Sequence, residues 1–94
     1  MKPTIIIDGA AVQERSDLIR VIAEALKIKG PLPRTWHELE SLLDGYDDLN
    51  VRLEFRNSDI LRERLSPAEF KSLLRFMFKL YDSKKSFDCL FIDG

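Results

Sequence analysis

Glu40 and Asp44 stand four residues apart in a stretch, residues 35–51, that also holds Glu38, Asp47 and Asp48 and contains no lysine or arginine. Carboxylates so arranged suit two kinds of chemistry. Paired acids can exchange protons with a substrate, and a cluster of acids can hold a cation, either a metal ion or the ammonium and guanidinium groups of a partner. The chain carries a formal net charge of -1, so the residues outside this stretch sum to +4. That segregation works against stability. On a helix, Glu40 and Asp44 are i, i+4 neighbours that repel by roughly 0.2–0.5 kcal/mol. Near a helix C-terminus, Asp44 opposes the macrodipole at a further cost of ~0.3–1 kcal/mol.

Other chemistry has little to work with. His37 is the single histidine and has no second histidine to pair with. Cys89, the single cysteine, lies among Phe87, Leu90, Phe91 and Ile92, where a reduced thiol serves as a small hydrophobe. There is no glycine-rich phosphate loop and no nucleophile with an adjacent base, and Glu40 and Asp44 are expected on a convex helix rather than in a cleft. Asp47-Asp48 lacks the alternating oxygen ligands and the glutamate of a calcium loop. The chain is therefore expected to be no enzyme, to use no cofactor and to hold no metal. Nine basic residues from position 52 to 85 are interspersed with Glu54, Asp59, Glu63, Glu69 and Asp82. With a pI near 5.8, direct nucleic-acid binding is not expected.

The elements that would position the acids can be read from periodicity and caps. Residues 4–7 form a short β-branched run closed by Asp8-Gly9, which suggests a buried strand and a turn. Ser16 offers an N-cap to a helix whose apolar positions are Leu18, Val21, Ile22, Ala25 and Leu26, ended by Gly30-Pro31. Thr35-Trp36-His37-Glu38 is a capping box, and Leu39, Leu42, Leu43 and Tyr46 form one inward stripe of a second, short helix. Residues 50–56 alternate as a strand. Asn57-Ser58 can cap a helix to about Leu65, and Ser66-Pro67-Ala68-Glu69 caps the longest helix, with Phe70, Leu73, Leu74, Met77 and Tyr81 inward. Residues 88–92 close the chain as a strand. The order β-α-α-β-α-α-β predicts one α/β domain over residues 1–94, with two or three layers, a parallel sheet and right-handed crossovers. The apolar runs are far too short to span a bilayer, and no signal-peptide pattern follows Met1, so the expected chain begins at Met1 and stays in the cytoplasm.

On the second helix His37, Glu40, Ser41 and Asp44 share the stripe opposite Leu39, Leu42 and Leu43. A row of like charges there can be plain solvated surface, or it can steer and seat a basic protein. A nuclease active site, whose lysines and arginines hold the nucleic-acid backbone, would accept carboxylates in place of phosphates. Trp36 in the first helical turn is either a packing residue or an exposed aromatic anchor, and the reading favours the anchor. Tyr46 suits the core better than a contact. Asp47 and Asp48 can keep the turn soluble.

The chain also resembles the barstar family of intracellular ribonuclease inhibitors. The resemblance runs over nearly its whole length. It rests on a first strand ending in Asp8-Gly9, with Ser16-Asp17-Leu18 following; on Leu39-Glu40-Ser41-Leu42-Leu43-Asp44, similar to the family's Leu-Asp-Ala-Leu-Trp-Asp; on Leu53-Glu54-Phe55-Arg56, similar to its Leu-Glu-Trp-Arg; and on a final strand beginning at Asp88. It implies a barstar-like three-stranded parallel sheet packed against about four helices. It further implies that the second helix and its preceding loop occlude a nuclease active site. Asp44 then matches the family's dominant acidic anchor, Glu40 its companion acid, and Leu43 the interface tryptophan beside the anchor, with Trp36, His37, Ser41, Tyr46 and Asp47 as further contacts. The family's Tyr-Tyr-Gly-Glu-Asn loop is here Pro33-Arg34-Thr35-Trp36-His37. A paralogous immunity protein directed at a different nuclease has this appearance. The implied partner is a basic extracellular ribonuclease or nuclease toxin domain, met by an inhibitor that is monomeric when free. The alternative is a barstar-like adaptor that binds a non-nuclease protein through the phenylalanines of the longest helix, Phe76 and Phe78.

Overall fold

The inward residues of three strands decide the architecture. A computed structural model of the chain describes residues 2–46 and 48–93. Its elements are β1 (Thr4–Asp8), a 3₁₀ turn (Gly9–Ala11), α1 (Arg15–Ala25), α2 (Trp36–Leu43), β2 (Val51–Arg56), α3 (Ser58–Arg64), α4 (Pro67–Ser83) and β3 (Phe87–Ile92). The sheet is parallel throughout, in the order β1-β2-β3, with Ile5 opposite Leu53 and Leu53 opposite Cys89. Side chains alternate across the sheet, so Ile7, Val51, Leu53, Phe55 and Phe87 share one buried face. Phe55 stacks on Phe91 there, with ring centroids 4.8 Å apart.

The helices cover that face with Leu18, Ile19 and Ile22 of α1, Leu39 and Leu43 of α2, Leu61 of α3, and Leu73, Phe76, Met77 and Leu80 of α4. The opposite face is open: Ile6 is 53% and Leu90 46% exposed, in line across Glu54. The domain is thus a two-layer α/β fold, and the three-layer option is excluded. β1 was expected to be buried, yet it is an edge strand with one wet face. An apolar run of four residues cannot distinguish the two, because burial on the second face depends on where the crossovers lie.

Local signals were mostly read correctly, with three instructive differences. α1 starts at Arg15, before Ser16, and the Asp17 carboxylate reaches back to the Gln13 N–H. It ends before Gly30 because Lys27 takes a left-handed φ of 56°, with Ile28 N–H donating to Ala23 O and Lys27 N–H to Glu24 O, both at 3.1 Å. This is a Schellman closure, in which Ile28 turns back to the core. Asn57 precedes α3 in a left-handed conformation and makes no side-chain cap; its amide donates instead to Asp8 Oδ1 at 2.8 Å. That bond, with the Ala10 N–H, holds the Asp8 carboxyl below the usual carboxylate range. Tyr81 is not an inward residue of α4 but 61% exposed, and Phe76 and Leu80 take the inward places. α4 is covered on two sides, by the sheet and by α2, so its buried stripe is wider and rotated relative to that of a helix packed on a sheet alone.

Gly9 lies where the 3₁₀ turn crosses the start of α3. A Cβ there would stand 2.6 Å from Asn57 O and 2.9 Å from Leu61 Cβ. Gly9→Ala is therefore expected to destabilise the domain by about 1–3 kcal/mol through overpacking. A urea midpoint equal to that of the parent would show that the turn moves away freely.

Candidate functional site

α2 begins with the expected cap. Thr35 Oγ1 accepts from the Glu38 N–H at 3.1 Å, and Glu38 Oε2 accepts from the Arg34 N–H at 2.7 Å, one residue upstream of the usual reciprocal bond. Leu39 and Leu43 fix the rotation of the helix by entering the core. Asp44 closes the helix, its N–H donating to Glu40 O at 3.0 Å while its side chain stays exposed. Among the described residues the Asp44 carboxylate has no hydrogen-bond or ion-pair partner.

Glu40 does have one. Lys79 of α4 donates to Glu40 Oε1, and Lys84, just past the end of α4, donates to Tyr46 O. The repulsion expected between Glu40 and Asp44 is thereby relieved by a cation from another helix. Lys84 brings positive charge to the C-terminal end of α2, where the macrodipole favours it. Glu40, Asp44, Lys79 and Lys84 frame a notch of about 20 Å³, which is too small for a ligand.

The remaining acids of the stretch divide in the same way. Asp48 Oδ1 accepts from the Ser86 N–H at 2.9 Å and from the Leu49 N–H. The Ser86 hydroxyl first and its N–H second hold the Asp48 carboxyl below the usual range. Asp48 is therefore a clasp between the segments that lead into β2 and β3, not merely a solubilising charge. Asp47 lies outside the described residues. Three of the five carboxylates, Glu38, Glu40 and Asp48, thus serve the fold.

Several expected contact residues are placed elsewhere. Leu43 is 1% exposed, so it belongs to the core and cannot present an interface side chain without unfolding α2. Trp36 is half-buried with its ring 5.2 Å from that of Phe76, and its indole N–H is buried without a described acceptor. The exposed-anchor reading is thus corrected: the first turn of α2 faces α4, and Trp36 fills the seam. Tyr46 is half-buried against the core, as its place in the stripe suggested. His37 and Ser41 are exposed and line a shallow hollow with Leu32 and Arg34 of the preceding loop. Leu32 went unread in the sequence; its only signal there was an apolar residue between Pro31 and Pro33 with no periodic partner. Lys79 and Lys84 had no local signal at all, because their contacts span 39 and 38 residues.

The geometry offers a solvated face of α2 on which His37, Ser41 and Asp44 are exposed. No group of three histidine, cysteine or acidic residues is placed to hold a metal among the described residues, and no described helix is long and apolar enough to cross a membrane. Burial, and secondarily Asp88, pushes the Cys89 thiol up, which keeps it a protonated, poor nucleophile at neutral pH.

Two outcomes follow for stability. Leu43→Ala should cost about 2–5 kcal/mol in urea unfolding, whereas Asp44→Ala should change stability by no more than ~0.5 kcal/mol. Asp48 has a depressed folded-state pKa, so its contribution is complete above the unfolded value near ~3.9 and is lost as pH falls through the folded value. The urea midpoints of the parent and Asp48→Ala should differ at pH 7 and converge as the pH drops below about 4. A gap that stays constant through that range would remove the ionised Asp48 clasp. No protein-family model matches this chain, and no curated protein matches it.

Proposed function

We propose that this chain is a protein inhibitor of a microbial ribonuclease or nuclease toxin, acting as an immunity protein in the cytoplasm of its producer. The observation that carries the reading is Asp44. It is an exposed carboxylate with no described partner, set at a helix end that disfavours it, while neighbouring Glu38, Glu40 and Asp48 are all engaged. A fold has no use for that charge, but the cationic cleft of a nuclease does. The three-stranded parallel sheet and its four helices are also what the resemblance to the barstar family implies.

In this reading Asp44 enters the cleft as a phosphate mimic and pairs with arginine or lysine, which excludes the nucleic-acid backbone. His37 and Ser41 extend the contact toward the hollow beside Leu32 and Arg34. Glu40 contributes less, because a partner's cation must compete with Lys79 for it. The mechanism is steric and electrostatic occlusion by a free monomer, with no covalent step and no cofactor. The dominant weight of the anchor acid is a property implied by the resemblance, and its order of magnitude is that of an interface hot spot.

The test is capture from the producing cell with the tagged parent chain beside Asp44→Lys, followed by release, refolding and nuclease assay of the captured protein. A basic nuclease held by the parent alone is expected. Asp44→Ala should then weaken the purified complex by at least ~2 kcal/mol, about thirtyfold, and Glu40→Ala by less. Affinity should fall as salt rises, and substrate analogues should compete. Equal affinity of the parent and Asp44→Ala would remove this face from the interaction.

A further inference from the structure

α4 carries a second feature on the flank turned away from α2. A groove of about 290 Å³ runs between this flank and β3, lined by Leu74, Met77, Phe78, Tyr81, Cys89 and Phe91. Phe78 is 71% and Tyr81 61% exposed. Two neighbouring aromatic rings left in water at the mouth of an apolar groove are a surface built for contact.

The form of the occupant can be narrowed. β3 is an edge strand, so a fourth strand is the obvious candidate. Two donors near that edge are already used locally: Phe87 N–H donates to Lys84 O at 3.2 Å and Cys89 N–H to Asp88 Oδ1 at 2.9 Å. Such local pairing blunts strand addition and leaves side-chain docking. The rim indicates the occupant's charge. Lys71 and Arg75 lie two turns and one turn before Phe78 on α4, i, i+7 and i, i+3 from it. Both are exposed and have no described acidic partner, and Asp82, one turn after Phe78, is the acid beside them. A second copy of the chain would bring one cationic rim against another.

We propose that the α4–β3 groove docks an acidic amphipathic helix of a partner protein. Apolar residues at i, i+3 or i+4 of that helix enter between Phe78 and Tyr81, and its carboxylates meet Lys71 and Arg75. The contact is independent of the acidic face, because α4 meets α2 through Phe76 and Lys79 on its other flank.

The experiment pans a phage library of random peptides, about 16 residues long, against the full chain, then titrates the enriched peptides with a fluorescent label. Acidic sequences with helical apolar spacing are expected. Their affinity should drop by about tenfold or more for Phe78→Ser combined with Tyr81→Ser, both exposed positions that leave the core intact, and by a similar factor for Lys71→Glu combined with Arg75→Glu. Asp44→Lys should leave it unchanged, which separates this surface from the proposed nuclease site. Enrichment of basic peptides alone, or of peptides indifferent to the Phe78 and Tyr81 changes, would overturn the proposal. So would a dimer in sedimentation that Phe78→Ser dissolves, or a labelled single-stranded RNA that outcompetes the peptides at the groove.

Discussion

Everything in this fold leans on one dry face of the central strand. Leu53 and Phe55 of β2 are fully buried, and Val51 nearly so, while Arg52, Glu54 and Arg56 point the other way. Parallel pairing on both sides of β2 means that each connection must cross over with helices, and both crossovers lie on the Leu53 side. A three-stranded sheet so covered spends its apolar residues on a single layer. The exposed face is then held by charge pairs such as Arg52 with Asp88, at 3.0 Å, which contribute little stability at the surface.

The acidic stretch has to be understood inside that arrangement. α2 is short and enters the core with only Leu39 and Leu43, so its position depends on α4 as much as on its own cap. Trp36 against Phe76, Lys79 on Glu40 and Lys84 on the Tyr46 carbonyl form one seam. Each of these contacts compensates a local disadvantage of α2: its length, its crowded acids or its dipole. Among the described acids of the stretch, Asp44 is the charge left over after these compensations, and that is what makes it informative. A solvated charge run would leave several carboxylates unengaged, whereas here the neighbours Glu38, Glu40 and Asp48 have structural partners.

α4 therefore has two distinct flanks. One forms the seam that supports α2, and the other borders the edge strand with aromatic residues in water. On the readings proposed above, a nuclease and an acidic helix could occupy the molecule together, because neither surface shares a side chain with the other. The helix that stabilises the inhibitory face would then also be the one that presents the second contact.

Much of this was legible in the chain itself. Capping boxes at Thr35 and Ser66, alternation from Val51 to Arg56 and the helical stripes sufficed for element order and an α/β class with a parallel sheet, because these signals are local and repeat at the period of the element. The same periodicity found Asp44 outward and Leu39 inward. What it could not supply were relations that depend on the third dimension. The rotation of α4 followed from its packing on two neighbours, which exposed Tyr81 and buried Phe76. The lysines that neutralise α2 lie nearly forty residues away, and the bond from Asp48 to Ser86 joins two loops that meet only because β2 and β3 are adjacent. The sequence alone determined which residues are acidic and which face of their helix they occupy; tertiary packing decided which of those charges remain free, because a charge is spent or spared only by what the fold brings within reach of it.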